Sequence, residues 1–381
     1  MHNSSLQPDK LICSLCLFCG FFLLSTIASA DHPTLGLKQD EAGSITTVSA
    51  IPLPKGKRSI GFESQFISNH EISDSDLLHH AEHGDNVHSS KGINSISFSG
   101  AYGITDNLTF GYNLPYISRL DIRESAGAHH DEAEDEHSDD GGSEETEAGT
   151  IANLGDASGF GDLTIYGQYR FAGSESSRLH ASALFGFKAP TGNTHINSNE
   201  GHRFETDHQP GSGSWDVLSG LALTQQWSGA TLDSNILYAF TNTGSQNTNL
   251  GDVFNYNIAL SIRLNNSGRN PSGGFHSHLT GNPRFWDLSL ELNGEWRDQA
   301  TIAGGLQHNT GGNIVFLAPS VRYGWGDDWS AYFSFGVPVI KNLNGVQSDP
   351  KYRLFAGVGF GVGGAKQSLN RAQARISQHK H

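Results

Sequence analysis

Long stretches of this chain alternate strictly between apolar and polar residues. Residues 252–264 read D-V-F-N-Y-N-I-A-L-S-I-R-L, so that Phe254 and Ile258 share one face while Asn257 and Arg263 share the other. A period of two residues is that of a β-strand whose two sides meet different environments. This stretch therefore predicts a strand with one apolar and one polar face.

The same alternation recurs along the chain and predicts twelve strands. They lie near residues 58–68, 92–103, 108–116, 160–171, 178–189, 213–227, 231–241, 252–264, 284–297, 312–324, 329–340 and 351–362. Most run ten to thirteen residues, which is enough to cross a bilayer at the tilt of a barrel strand. The segment 312–324 is the least regular, because Pro319 interrupts it and leaves the face of Arg322 ambiguous.

Charged residues are sorted between the two faces. The interiors of the apolar faces carry none outside the irregular segment, and a charge at mid-bilayer would cost about 2–4 kcal/mol. Aromatic residues cluster at strand ends, as they do at membrane interfaces. The opposite faces carry the predicted lumen-lining residues Glu63, Asp162, Arg170, His180, Lys188, Asp216, Asp233, Arg263, Glu291 and Arg353. These groups either pair with one another across the lumen or line a narrow path.

We therefore predict an all-β fold, a transmembrane up-and-down antiparallel β-barrel of about twelve strands spanning residues 58–362. The connections alternate between long and short, which is typical of barrels with long outer loops and short periplasmic turns. The long ones are 69–91, 117–159, 190–212, 242–251, 298–311 and 341–350, with 265–283 as a long exception in a periplasmic position. This topology predicts the outer membrane of a Gram-negative bacterium, with its lipid as partner and both termini in the periplasm.

The N-terminus predicts export. An apolar stretch at 11–24 is followed by Ala28-Ser29-Ala30, so residues 1–30 are expected to be a cleaved signal peptide. All three cysteines lie in that stretch, which leaves no thiol for a disulfide, metal or nucleophile in the mature chain. Residues 31–57 would form a periplasmic N-terminal segment long enough to plug the barrel, and 363–381 a polar C-terminal tail.

Other functional classes find little support. A net charge of −15 argues against a nucleic-acid partner. Histidines are abundant, but none lies in a motif that fixes a nucleophile beside a base, so we do not predict an enzyme and expect no required cofactor.

The predicted outer loops 69–91 and 117–159 combine histidine with many carboxylates. Imidazole and carboxylate together suit zinc, copper or nickel. The candidate metal ligands are His70, His79, His80, His83, His88, His129, His130 and His137. His79 or His80 would share a face with His83 if the loop formed a helical turn. The alternative is that these tracts are only a solvated acidic surface.

Six short motifs occur in an order that resembles a known family. They are residues 52–57 (P-L-P-K-G-K), 102–108 (Y-G-I-T-D-N-L), 114–116 (L-P-Y), 159–163 (G-F-G-D-L), 188–192 (K-A-P-T-G) and 211–216 (G-S-G-S-W-D). Together they resemble the outer-membrane proteins grouped as "MetA-pathway of phenol degradation", over roughly residues 49–363. The resemblance implies an outer-membrane barrel with a transport role and does not define a substrate.

Two functions remain open at this point. The first is a transporter or channel for small molecules, with hydrophobic or aromatic compounds suggested by the resemblance. The second is a metal-binding surface barrel that captures divalent transition-metal ions on its outer loops or passes them to the lumen.

Overall fold

The computed structural model describes residues 44–83, 87–125, 149–174, 176–264, 284–325 and 329–362. Its elements are β1 Arg58–His70, α1 Asp74–Glu82, β2 Gly92–Thr105, β3 Leu108–Ser125, β4 Ile151–Phe160, β5 Leu163–Ala172, β6 Leu179–Ala189, β7 Asp216–Trp227, β8 Ala230–Phe240, a 3₁₀ turn Ser245–Asn247, β9 Thr248–Asn249, β10 Val253–Arg263, β11 Arg284–Arg297, β12 Thr301–Ile302, β13 Gly305–Leu306, β14 Gly312–Trp325, β15 Trp329–Leu343 and β16 Asp349–Val362. Among these residues no helix is both long and apolar enough to cross a membrane.

The long strands close into a barrel. Each pairs antiparallel with its neighbours, and β1 pairs with both β2 and β16, which joins the first strand to the last. β4 and β5 pair with successive parts of β3, so they act as one strand interrupted at Gly161 and Asp162. The thirteen strands of this sheet therefore form a closed barrel of twelve, as the alternation predicted.

The barrel wall is apolar outside and polar inside. Neighbouring residues of β11 show the contrast, since Leu290 is 51% exposed and Glu291 is fully buried. Large exposed apolar side chains such as Phe62, Leu221 and Ile258 lie on the same outer surface. A soluble sandwich would bury these residues between two sheets, whereas a membrane barrel presents them to lipid.

The predicted loop 117–159 was too long. β3 continues to Ser125, and its upper part pairs with β4 from Ile151 onward. The register shifts twice between Arg119 and Arg123, and Asp121 has a positive φ of 52°. These irregularities break the alternation, which is why the extension could not be seen in the sequence. An apolar cluster, which includes Ile122 and Phe204, holds it in place.

The irregular segment around Pro319 is a strand after all. β14 runs without a break from Gly312 to Trp325, and Pro319 pairs with Leu290 of β11. The ladder with β15 omits Pro319, which has no N–H to donate. Arg322 is buried and faces the lumen.

Several predicted segments lie outside the described residues. They are the signal peptide 1–30, residues 31–43 of the N-terminal segment, 126–148 of the second long loop, the connection 265–283 and the tail 363–381.

Candidate functional site

The N-terminal segment, here residues 44–57, lies inside the barrel and crosses its lumen. The end of the segment next to β1 is held by two backbone hydrogen bonds with β2. Gly56 N donates to Gly103 O, and Gly103 N donates to Lys57 O. Further along, its polar atoms contact inward side chains of β3, β7, β8 and β14. The contacts are Leu53 N to Thr109 Oγ1 at 2.8 Å, Ala50 N to Thr224 Oγ1 at 2.7 Å, Val48 N to Asn235 Oδ1 at 2.8 Å and Arg322 to Ser44 O at 2.8 Å. Since these strands lie on different sides of the barrel, the segment spans its interior near the ends joined by short turns.

Glu291 anchors the far end of this segment. Its fully buried carboxylate accepts hydrogen bonds from the backbone N–H groups of Ile45 (2.5 Å), Thr46 (3.1 Å) and Thr47 (3.0 Å). The Thr47 hydroxyl donates a fourth bond at 3.0 Å. Hydrogen bonds to an ionised acceptor are roughly twice as strong as neutral ones. The carboxylate therefore fixes three consecutive residues of the segment.

The apolar side chains of the segment pack against the wall. Val48 and Ala50 belong to a buried cluster with Tyr166, Leu184, Leu218, Ala222 and Leu237, which come from β5 to β8. The segment is thus held to the wall by both apolar and polar contacts.

A cavity of about 140 Å³, here called the inner cavity, lies in the lumen beyond the segment. Its lining combines the apolar residues Ile117, Leu218 and Val253 with an ion cluster. In that cluster the Lys188 ammonium lies 3.2 Å from the Asp162 carboxylate and 2.6 Å from that of Asp216. Two acids and one base share the cluster, so its formal charge is negative.

Three of the sequence motifs converge on this cluster. Asp162, in the break between β4 and β5, accepts hydrogen bonds from Gly192 N at 3.0 Å, Ser212 N at 3.0 Å and Ser212 Oγ at 2.6 Å. A Cβ added to Gly192 would lie 2.6 Å from the Cα of Gly211. The backbone segments at these two glycines therefore approach too closely for any side chain. The residues of 159–163, 188–192 and 211–216 therefore build one junction between wall and loop.

A larger cavity of about 310 Å³, here called the mouth cavity, lies at the end of the barrel that carries the long loops. It is lined by residues of several loops, among them His88, His208 and His308. Leu250 and Arg297 line both cavities, so the mouth cavity adjoins the inner one. The two cavities therefore follow one another between the loop end of the barrel and the N-terminal segment.

Two imidazoles and three carboxylates meet at the wall of the mouth cavity. His88 Nε2 lies 2.7 Å from the Glu124 carboxylate, and His208 Nδ1 lies 2.9 Å from that of Asp207. Burial alone would lower the pKa of His88, but the charges of Glu205, Glu124 and Asp207 outweigh it and raise that pKa to about 9. The surroundings therefore favour the protonated, positively charged form of the His88 imidazole.

The five predicted metal ligands that the structure describes do not all meet at one place. His70 lies beside Asp349, 3.3 Å away, and His79, His80 and His83 lie on or next to α1. The helical turn needed to bring His79 and His83 together does form, and their rings are 4.6 Å apart. His88 lies apart from these, while His129, His130 and His137 lie outside the described residues.

The ten predicted lumen residues all lie on the inner side of the barrel, but they contact different groups there. Asp162, Lys188 and Asp216 line the inner cavity, whereas Asp233 and Glu291 bind the N-terminal segment. The other five contact neighbouring groups: Glu63 accepts from the Tyr332 hydroxyl, Arg170 donates to Asn107, His180 contacts Ser177 O, Arg263 pairs with Asp287, and Arg353 donates to Asn293.

The sequence interpretation missed Glu205 and His208 as partners of His88. Their spacing of three residues was a usable signal, because a turn that brings His208 N to Glu205 O at 3.0 Å puts both side chains together. Nothing in the sequence indicated that His88 would lie beside them.

Comparisons with known proteins give one family. Its model, described as "Putative MetA-pathway of phenol degradation", matches residues 137–339. Similar solved structures include an outer membrane channel from Pseudomonas putida F1, 16% identical, covering 82% of this chain and 98% of that one with a TM-score of 0.48. The CymD monoaromatic hydrocarbon channel is 10% identical, covering 81% and 88% with a TM-score of 0.35. No curated protein matches the chain.

Proposed function

Because the chain belongs to the family described as "Putative MetA-pathway of phenol degradation", we propose that it is an outer-membrane channel for small, one-ring aromatic molecules. The observation that carries the proposal is the pair of adjoining cavities within a lipid-facing barrel, which would together form the path of the substrate. The long loops would face the outside of the cell, and the N-terminus and the C-terminus of the chain would both lie in the periplasm.

The size and lining of the inner cavity support a one-ring substrate. An apolar cavity of about 150 Å³ in another protein binds benzene, and the inner cavity has about 140 Å³. Ile117, Leu218 and Val253 offer apolar surface, while the Lys188 cluster offers donors and acceptors. A ring with one polar substituent fits this combination.

The N-terminal segment would be the plug on the periplasmic side of this path. It crosses the lumen below the inner cavity and is held by Glu291 and by the apolar cluster around Leu218. Passage of a substrate therefore requires the segment to shift. The hydrogen bonds from Thr46 and Thr47 to Glu291 would have to break and re-form in that movement.

Influx into proteoliposomes tests the proposal. The probe is radiolabelled benzyltrimethylammonium, a one-ring aromatic ion with one polar substituent whose permanent positive charge makes it cross lipid slowly. Ala239 lines the inner cavity, so Ala239→Trp should fill it and reduce influx to the level of protein-free liposomes. Ile236→Trp is the matched control, because Ile236 is exposed on the outer face of the same strand.

The expected result is influx through the parent and the Ile236→Trp variant, and none through Ala239→Trp. If the folded parent admits no more probe than protein-free liposomes, the proposed channel function is wrong. If both variants transport equally, the inner cavity is not the path of the substrate.

A further inference from the structure

We propose that His88, Glu205 and His208 form a zinc-binding site at the wall of the mouth cavity. Each residue offers one ligand atom, and the three atoms lie within 4.8 Å of one another. This site differs from the histidine set predicted from the sequence, since it takes one residue from the segment before β2 and two from the loop between β6 and β7. It does not depend on the proposed channel function.

The ligand types match zinc. Two imidazole nitrogens and one carboxylate oxygen, with a fourth position left to water, form a common zinc arrangement. Zinc–ligand bonds of about 2.0–2.1 Å place tetrahedral ligand atoms roughly 3.3 Å apart. The three atoms must therefore draw closer on binding. Glu205 and His208 lie on one turn, and the His88 and His208 rings are already 4.7 Å apart, so side-chain rotations can supply that movement.

Both imidazoles already have a carboxylate on the nitrogen that the metal would not use. Glu124 contacts His88 Nε2 at 2.7 Å, which leaves Nδ1 as the ligand atom. Asp207 contacts His208 Nδ1 at 2.9 Å, which leaves Nε2. Metal-binding histidines usually have such a partner, because it fixes the tautomer and the ring orientation. Glu124 supplies this hydrogen bond for His88, and the Asp207 carboxylate lies at ion-pair distance from His208 Nδ1.

The local charge and the access route also fit a cation. The carboxylates of Glu124, Glu205 and Asp207 lie beside the two imidazoles, so the group has a negative formal charge when both imidazoles are neutral. All three proposed ligands line the mouth cavity, which supplies a route for a hydrated ion. A bound zinc would tie the segment before β2 to the loop after β6 across one side of the mouth.

Calorimetric titration of zinc into the refolded full chain tests the site. The informative variant is His88→Gln with His208→Gln, and the matched control is His79→Gln with His80→Gln, which removes two imidazoles from α1 instead. Parent and control should bind one more tight zinc ion per chain than the informative variant. Altered migration of unboiled samples on gels shows that each variant has folded, and Glu205→Gln replaces the double variant if the latter does not fold.

Cobalt gives a second readout, because its visible absorption reports the ligands bound to the metal. A substitution that only altered the structure of the loops would not show this specific loss. Tetrahedral or five-coordinate cobalt at this site should give visible absorption in the parent and the control, and the informative variant should lose it. The proposal is overturned if the informative variant binds zinc with the parent's number and affinity, or if the α1 control loses the same site.

Discussion

At the residue scale, Leu290 and Glu291 are adjacent in the chain and lie in opposite environments. Leu290 faces outward among apolar side chains, whereas Glu291 is fully buried and accepts five hydrogen bonds, four of them from residues 45–47. The sequence could predict their faces, because alternation in a strand fixes which side each residue takes. It could not predict the partners of Glu291, since Ile45 and Thr47 are far away in the chain.

Leu290→Arg should destabilise the folded barrel by about 2–4 kcal/mol, because it puts a charge near mid-bilayer. Leu264→Arg, directly after β10 on the same outer surface, should cost about 0–1 kcal/mol, because an interfacial charge stays hydrated. Urea titration of folding into lipid vesicles measures both. Equal losses at the two positions would show that the assigned depth or register is wrong.

Lys188→Met should cost about 3–5 kcal/mol, because it leaves the buried carboxylates of Asp162 and Asp216 without their counter-charge. The control is Lys341→Met, which breaks a more exposed pair with Asp349 and should cost about 0–1 kcal/mol. The same urea titration compares the two. A small loss for Lys188→Met would mean that the junction at Gly192 and Gly211 does not depend on this cluster.

At the element scale, the strands follow from the sequence and the exceptions have physical causes. A barrel wall imposes alternation on every regular strand, so twelve strands could be recognised. The extension of β3 and β4 was hidden because Asp121 and the bulges around it shift the phase of the pattern. The site at His88 was hidden for another reason, since three loop positions meet there only after the barrel has closed.

Glu291→Ala should release the N-terminal segment without opening the wall. Amides of residues 45–47 then lose their shared acceptor, so their hydrogen exchange should become much faster, as measured by mass spectrometry. Glu63→Ala is the matched control, because Glu63 also faces the lumen but accepts from Tyr332 of the wall. Unchanged exchange in Glu291→Ala would show that the apolar cluster alone holds the segment.

At the scale of the whole molecule, a closed wall surrounds a lumen that the chain's own N-terminal segment crosses. The wall could be predicted from the sequence, because lipid outside and polar groups inside impose alternation on every regular strand. The crossing could not, since residues 44–53 carry no strand pattern and their partners are spread over β3, β7, β8, β11 and β14. The sequence established only that the segment is long enough to enter.

Single-channel conductance in planar lipid bilayers tests this account most directly. The comparison is between the parent and a variant that lacks residues 44–53, both first shown to be folded by their altered migration on unboiled gels. We expect little conductance from the parent and stable, much larger conductance steps from the variant, because removal of the segment opens the lumen. Equal conductance of the two proteins, whether both open or both closed, would contradict the account.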